Sequence, residues 1–241
     1  MAHKKSAHMS RLAAPKSWPV LRKNAKWIIK PDPGAQPLKM GMSVSTFLTE
    51  VLGIARNKAE AKGILNQNLV SVNGKVVRET NFIVGLFDTL KIARYNKTFR
   101  VLLDELGRLK LVEIPESEAS VIPIRVEGKT TVKGNKLQIN LSGGRNFLSD
   151  KDSYKIDDVL IFNTKDKKTI KHLKLQKGSL VYIIGGKHSG KLSTVKDFVQ
   201  EGLLRKKKFV VASDKEERIK VPIKDVFVLG EDKPEISMGE K

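Results

Sequence analysis

The sequence predicts a multi-domain α+β chain, and three observations lead there. The first acidic residue is Asp32, so residues 1–31 form a purely cationic leader. A helical apolar period is confined to the stretch from Ser43 to Leu65. From Thr98 onward, short runs of branched residues alternate with glycine turns, which is the pattern of β structure.

In the leader, Lys4, Lys5, Arg11, Lys16, Arg22, Lys23, Lys26 and Lys30 are interleaved with Trp18 and Trp27, the two tryptophans of the 241-residue chain. Such a segment repels itself. It has too few aliphatic residues to repay the entropy of ordering, so it is expected to lack structure in the free protein. Indole rings among cations suit a surface of phosphates and stackable bases, which points to nucleic acid. The net charge is +20, and without the eight leader cations +12 remains on the other 210 residues, so the basic excess is spread along the chain. No apolar run approaches the roughly 18 to 20 residues of a spanning helix, and no window pairs a basic face with a long apolar one. A membrane partner is therefore not expected. The charged N-terminus lacks the apolar core of a signal peptide, and the absence of cysteine excludes disulfides and thiolate metal sites. A cytosolic protein is expected.

Pro31, Pro33, Gly34 and Pro37 make a stiff, non-helical link, because proline fixes φ and disfavours helix in the residue before it. Folded structure is expected from Met42. Val44, Phe47, Leu48, Val51 and Leu52 share one face of a first helix that Ser43 caps and Gly53 ends. Asn57 and Glu60 form a capping box for a second helix with Ala61, Ile64 and Leu65 on its apolar face. Asn68 suits the left-handed exit from that helix. Val70 and Val72 alternate with Ser71 as a strand, Asn73-Gly74 is a hairpin turn, Val76 and Val77 begin the return, and Leu90-Lys91-Ile92 is a further strand. Beyond Thr98, strands are expected at Val101–Leu103, Leu109–Val112, Val121–Val126, Leu137–Leu141 and Val159–Phe162, then at Leu180–Ile184, Val195, Phe209–Val211 and Val226–Leu229. This divides the chain into a basic extension with its link (1–41), a small α+β module (42–95), a central β domain (96–174), a C-terminal β unit (175–230) and a polar, frayed end (231–241).

Catalytic chemistry finds little support. Gly185 and Gly190-Lys191 nearly spell a phosphate-binding P-loop, but Leu192 stands where Ser or Thr must hold magnesium, and the stretch from Ser193 to Val199 is too short and too β-branched for a phosphate-capping helix. His3, His8, His172 and His188 have no carboxylate at helical ligand spacing. Asp157-Asp158 is adjacent rather than spaced for one face and is expected to stay solvated. The run Arg205-Lys206-Lys207-Lys208 is either a solvated loop or an RNA contact.

The stretch from Ser43 to Ile92 resembles the alpha-L RNA-binding module, through Ala55-Arg56-Asn57-Lys58, Ala61, Ile64-Leu65, Leu69-Val70-Ser71-Val72-Asn73-Gly74-Lys75 and Asp88 before Leu90-Lys91-Ile92. It departs from the broad pattern at Asn68 and Phe87, where Gly is usual. By that resemblance Arg56, Lys58, Lys62, Lys75 and Arg78 are RNA contacts; the alternative is a solvated charged face. The run from Lys177-Gly178 through Gly185-Gly186-Lys187-His188-Ser189-Gly190-Lys191 to Val195 resembles a KOW motif, with Lys187, His188 and Lys191 supplying charge and Ser193 standing at the usual central glycine. Gly107-Arg108-Leu109-Lys110 resembles the Gly-Arg-Leu-Asp stretch of pseudouridine synthases, but lysine cannot replace their nucleophilic aspartate.

Arg11-Leu12-Ala13-Ala14-Pro15-Lys16-Ser17-Trp18-Pro19, with Trp27, the proline link, Gly85-Leu86-Phe87-Asp88, Gly144-Arg145-Asn146 and Val226-Phe227-Val228-Leu229-Gly230, resembles the small-subunit ribosomal protein S4e family of archaea and eukaryotes. The resemblance covers nearly the whole chain. It implies an extension, an alpha-L module, a central β domain and a C-terminal SH3-like β-barrel of the KOW type. It implies a non-enzymatic, cytoplasmic constituent of the small ribosomal subunit, with no cofactor, no metal and no small-molecule substrate. Its partners would be the 5′ region of the ribosomal RNA and neighbouring small-subunit proteins. The RNA-binding residues would be Lys4, Lys5, Arg11, Lys16, Trp18, Arg22, Lys23, Lys26 and Arg145, beside those of the two modules. The rival classes are a KOW-type transcription factor and an RNA-modifying enzyme that carries an alpha-L module.

Overall fold

A computed structural model describes residues 8–134, 136–149, 152–166, 168–201, 207–214 and 217–239. The chain divides into two compact units, one of residues up to 102 with 108–120 and Gly239, the other of residues 103–107 and 121–238.

In the first unit the described part of the leader, from His8 onward, is folded, contrary to expectation. Strand β1 (His8–Ser10) pairs antiparallel with β2 (Trp27–Ile29), and a 3₁₀ turn at Arg11–Ala13 comes directly after β1. Trp18 is buried, and its Nε1 donates to the Leu38 carbonyl at 3.1 Å. The Leu109 amide donates to the Ser17 carbonyl at 2.8 Å. Electrostatic self-repulsion is the reason to expect disorder, and the structure relieves it locally. Arg11 is 5% exposed, and its guanidinium donates to the Glu50 carboxylate at 2.7 Å and to the Leu21 carbonyl at 3.0 Å. The Arg22 guanidinium donates to the carbonyls of Leu12 and Ala14, at 3.0 and 2.9 Å. Folded structure thus begins by His8 rather than near Met42.

Strand β3 (Gly41–Ser43) leads into α1 (Val44–Thr46), where the Ser43 hydroxyl accepts from the Thr46 amide at 3.2 Å as a cap. The helix then widens into a π-helical turn over Phe47–Val51, closed by the Leu52 amide on the Phe47 carbonyl at 2.9 Å, and Gly53 ends it at φ +63°. Because the π turn holds more residues than the 3.6-residue period, the expected apolar face holds only for Val44, Phe47 and Leu48; Val51 and Leu52 are half-buried. Helix α2 (Lys58–Asn66) buries Ala61, Ile64 and Leu65 and leaves through Asn68 at φ +59°. Strands β4 (Val70–Val72) and β5 (Lys75–Val76) are joined by Asn73 and Gly74, both at positive φ, the geometry that matches strand twist in a two-residue turn.

Strand β6 (Ile83–Gly85) pairs with β3, while β7 (Thr89–Ile92), β8 (Lys97–Leu103) and β9 (Leu109–Ile114) continue the hairpin into a sheet ordered β5-β4-β7-β8-β9. The strands expected at Val101–Leu103 and Leu109–Val112 therefore extend the hairpin's sheet and are not part of the sheet that begins at Val121. The Asp88 carboxylate accepts from Asn73 Nδ2 at 2.7 Å and from the Gly85 amide at 2.8 Å, which ties the hairpin turn to the start of β7. Arg100 on β8 is fully buried and donates to Glu118 Oε2 at 2.9 Å. Burial pulls its guanidinium below the usual value while Glu118 pushes it back up.

The second unit holds two five-stranded sheets. Strands β10 (Val121–Val132), β11 (Lys136–Leu141), β12 (Arg145–Ser149), β13 (Val159–Asn163) and β14 (Lys168–Leu173) order as β12-β11-β10-β13-β14, over a core of Ile122, Ile124, Val126, Ile139, Leu141 and Leu160. Strands β15 (Leu180–Ile183), β16 (Leu192–Glu201), β17 (Lys207–Asp214), β18 (Glu217–Pro222) and β19 (Val226–Gly230) order as β18-β17-β16-β15-β19. The Tyr182 hydroxyl on β15 donates to the Leu103 carbonyl at 3.0 Å and accepts from its amide at 2.9 Å. Its pKa is pushed up to about 12, chiefly by burial, against the lowering effect of the Leu103 backbone hydrogen bond and with a raising contribution from Asp104.

Two further expectations are corrected here. Asp158 is buried, because His172 Nε2 and the amides of Lys155 and Leu175 all meet its carboxylate, at 2.7, 3.0 and 3.2 Å. The end of the chain is also ordered as far as Gly239. Gly230 bridges to Pro234, the Glu235 amide donates to the Leu229 carbonyl at 2.9 Å, and Ile236 is buried.

Candidate nucleic-acid interface

The cations expected to meet RNA sort by type. In the leader, Arg11 and Arg22 spend their donors on Glu50 and on main-chain carbonyls, while Lys16, Lys23, Lys26 and Lys30 are exposed. The division has a physical reason. A planar guanidinium can satisfy several fixed acceptors at once, whereas a lysine is strongly hydrated and its stem reaches outward. Arg11 and Trp18 are therefore structural, because burial leaves neither the guanidinium nor the indole a face to present. Arg22 holds the chain after the 3₁₀ turn. Lys4 and Lys5 lie outside the described residues, as do Arg205 and Lys206.

At the second helix, Asn57 Oδ1 accepts from the Glu60 amide at 2.9 Å. Glu60 Oε2 then accepts from the Arg56 amide at 2.8 Å, one residue earlier than the reciprocal capping box expects. The helix start is thus partly satisfied by its own carboxylate. This leaves the exposed side chains rather than bare amides to attract phosphate. Arg56, Lys58 and Lys62 are exposed, and the last two stand four residues apart on one face of α2. Arg78, also exposed, donates through Nε to Asn68 Oδ1 at 2.8 Å, so the same asparagine that turns the chain out of α2 orients the guanidinium. Lys62 and Arg78 line one shallow hollow with Asp32, Glu79, Thr80 and Asn81. Lys75 is exposed at the hairpin tip.

In the second unit Arg145 is half-buried on β12. The loop between β15 and β16 carries exposed Lys187 and half-buried His188 and Lys191. It is tightly closed. The Ser189 hydroxyl donates to the Gly186 carbonyl at 2.8 Å, the Gly190 amide to the Ile183 carbonyl at 2.8 Å, and the Ile183 amide to the Lys191 carbonyl at 3.0 Å. Gly190 sits at φ +81°, where an added Cβ would stand 2.5 Å from the Asp104 carbonyl oxygen, so glycine is required there on both counts. Ser193 belongs to β16, opposite Val181, and is buried. It therefore stands in the strand that follows the loop. Among the described residues no cluster of His, Asp and Glu is arranged to hold a metal ion. Among them, too, no helix is long and apolar enough to cross a membrane.

Family models match three stretches: an RS4NT (NUC023) domain over residues 4–38, an S4 domain over 45–90 and the ribosomal family S4e over 95–169. Small ribosomal subunit protein eS4 of Methanosphaera stadtmanae is 39% identical over 231 residues, covering 96% of this chain and 95% of that protein. The same protein from Aeropyrum pernix is 34% identical over 241 residues, covering 96% and 95%. The chain belongs to the ribosomal family S4e. The crystal structure of the 30S ribosomal protein S4e from Thermoplasma acidophilum matches with a TM-score of 0.70 at 28% identity, over 83% of this chain and 98% of that one.

The S4 match runs from α1 into β7, so the helix pair and hairpin of this S4e chain form an S4 domain of the alpha-L type within a mostly β protein. In it Phe87, buried and at φ +66°, takes the position where the broader module has glycine; its amide donates to the Val101 carbonyl at 2.8 Å, which holds the left-handed backbone in place. Trp27, Phe82, Tyr95 and Phe198 are exposed aromatics outside the expected RNA contacts, and Trp27 alone of them lies in the basic leader. Trp27 is half-exposed, and the signal for it lies in the sequence: in Trp27-Ile28-Ile29 the strand alternation that buries Ile28 turns Trp27 outward.

Proposed function

We propose that this chain is a structural, non-catalytic constituent of the small ribosomal subunit in the cytoplasm, binding ribosomal RNA and supporting subunit assembly and translation. The observation that carries this reading is the near end-to-end match to proteins named small ribosomal subunit protein eS4. The 5′ region of the ribosomal RNA and neighbouring small-subunit proteins are its partners. In finer division, residues 42–95 act as the alpha-L module, 96–174 as the central β domain and 175–230 as a KOW-type SH3-like barrel. The exposed lysines of the leader, the Arg56, Lys58, Lys62, Lys75 and Arg78 face, Arg145 and the 185–191 loop supply the phosphate contacts. What supports them is their exposed or half-exposed position in a chain of net charge +20. On a sucrose gradient in high salt the protein is expected to sediment with the small subunit. Recovery only in free fractions would overturn the assignment.

Arg56→Ala separates a phosphate ligand from a packing residue. The Arg56 side chain is exposed, so the substitution is expected to leave thermal unfolding unchanged within about 0.5 kcal/mol. Affinity for small-subunit ribosomal RNA should fall by roughly tenfold, the worth of one charge-assisted contact. Lower stability with affinity intact would remove Arg56 from the interface.

A further inference from the structure

We infer that Trp27 is a stacking platform for an unpaired RNA base, held on the outer face of the folded leader and served by Lys26 and His8. This rests on the RNA-binding reading above and deepens it, since it names the kind of nucleotide that the leader takes.

The two tryptophans have opposite fates. Trp18 is 3% exposed and hydrogen-bonded inside the first unit, whereas Trp27 is 51% exposed. Trp27 is nonetheless fixed. It lies on β2 opposite Ser10 of β1, and the His8 ring meets it in a T-shaped arrangement at a centroid distance of 4.8 Å and an interplanar angle of 75°. The Lys26 ammonium sits over the indole, 5.2 Å from the ring centroid. An exposed apolar ring normally costs solubility and is turned inward; here the strand register turns Ile28 inward instead and leaves the larger ring outside among cations.

These parts fit one ligand chemistry. A base offers a flat π face to the indole, and its own phosphate offers an anion to a lysine one residue away. An exposed cation–π contact is weaker than base–aromatic stacking, so an arriving base displaces Lys26 from the ring and its ammonium turns to the flanking phosphate. Lys23, Lys26 and Lys30 are all exposed around β2, and no carboxylate precedes Asp32 in the sequence to compete with the RNA for them. A paired base keeps its faces stacked on its neighbours, so the platform selects single-stranded or bulged nucleotides over duplex.

The test uses the full chain and its Trp27→Leu and Trp27→Phe variants, titrated with a short oligoadenylate and with the same strand paired to oligouridylate. Oligoadenylate should quench the tryptophan emission of the native protein. Trp27→Leu should bind it roughly 5- to 150-fold more weakly, the range set by loss of one base–aromatic stack, while Trp27→Phe keeps most of the affinity. Binding of the duplex should be equal for all three, because backbone charge alone carries it. Equal affinity of Trp27→Leu and native protein for oligoadenylate would overturn the inference and assign the ring to a protein neighbour. Failure of the native protein to bind either RNA would overturn the RNA-binding reading itself, and the platform with it.

Discussion

Glu118→Ala is expected to cost the first unit about 3 to 5 kcal/mol, the range for removing one partner of a buried ion pair. Arg100 has no solvent exposure, and Glu118 is a carboxylate partner at 2.9 Å, with the Glu118 carbonyl a further acceptor at 3.4 Å. The substitution keeps the carbonyl but strips that countercharge from a guanidinium that burial already disfavours. Glu118 is itself 25% exposed, so water compensates in part and the lower end of the range applies. The double variant Arg100→Met, Glu118→Leu should recover most of the loss, because neither charge of the pair is then left in the interior. Thermal unfolding of both variants beside the native chain decides the matter. A Glu118→Ala protein as stable as the native chain would show that the pair does not hold the β8 region together.

Trp18→Ala should cost about 3 to 5 kcal/mol as well, but through the leader rather than the sheets. Among the described residues of the leader the indole is the largest apolar group buried, and its Nε1 hydrogen bond to Leu38 joins residues on either side of the proline link. Without it, the segment is left with the Arg11–Glu50 pair, the bond from the Leu109 amide to the Ser17 carbonyl, and that from Asn81 to the Lys30 carbonyl. A few polar contacts do not offset the entropy of ordering a segment of this length, so the leader should detach while the S4 domain stays folded. Limited trypsin digestion would then cut at Lys16, Arg22 and Lys23 in the variant and spare them in the native protein. Equal resistance of both proteins would sink this account. Once detached, the leader has little to keep β1 and β2 paired, so Trp27 should lose its fixed position and the variant is expected to lose base stacking even though the ring itself is unchanged.

Local signals read well where local chemistry decides. The Ser43 cap, the Gly53 stop, the Asn57 cap, the left-handed Asn68 and the Asn73-Gly74 turn all depend on residues within a few positions of each other, and each stands in the structure as the sequence implies. The first helix is the informative exception. Its apolar residues keep a 3.6-residue spacing, yet the backbone widens at Phe47–Val51 and the face breaks after Leu48. Strands β12 and β14 leave little trace in the sequence for a related reason. β12 mixes exposed and half-buried residues, β14 is exposed for most of its length, and both are edge strands placed by their neighbours rather than by their own apolar content.

Charge, periodicity and turn chemistry are properties of neighbouring residues, so the basic character of this chain, the helix–helix–hairpin module, the β pattern after Thr98 and the family are all legible along it. Which cations face outward and which are consumed inside is settled by contacts between distant segments. Arg11 and Lys16 look alike along the chain, but Arg11 meets a carboxylate thirty-nine residues away and is buried, and Lys16 meets water. The same holds for Trp18 and Trp27, and for Asp158, which looks like a solvated turn acid until three donors close around it. Desolvation of a polar or aromatic group depends on partners brought together from distant parts of the chain, and no local pattern in the sequence records that meeting.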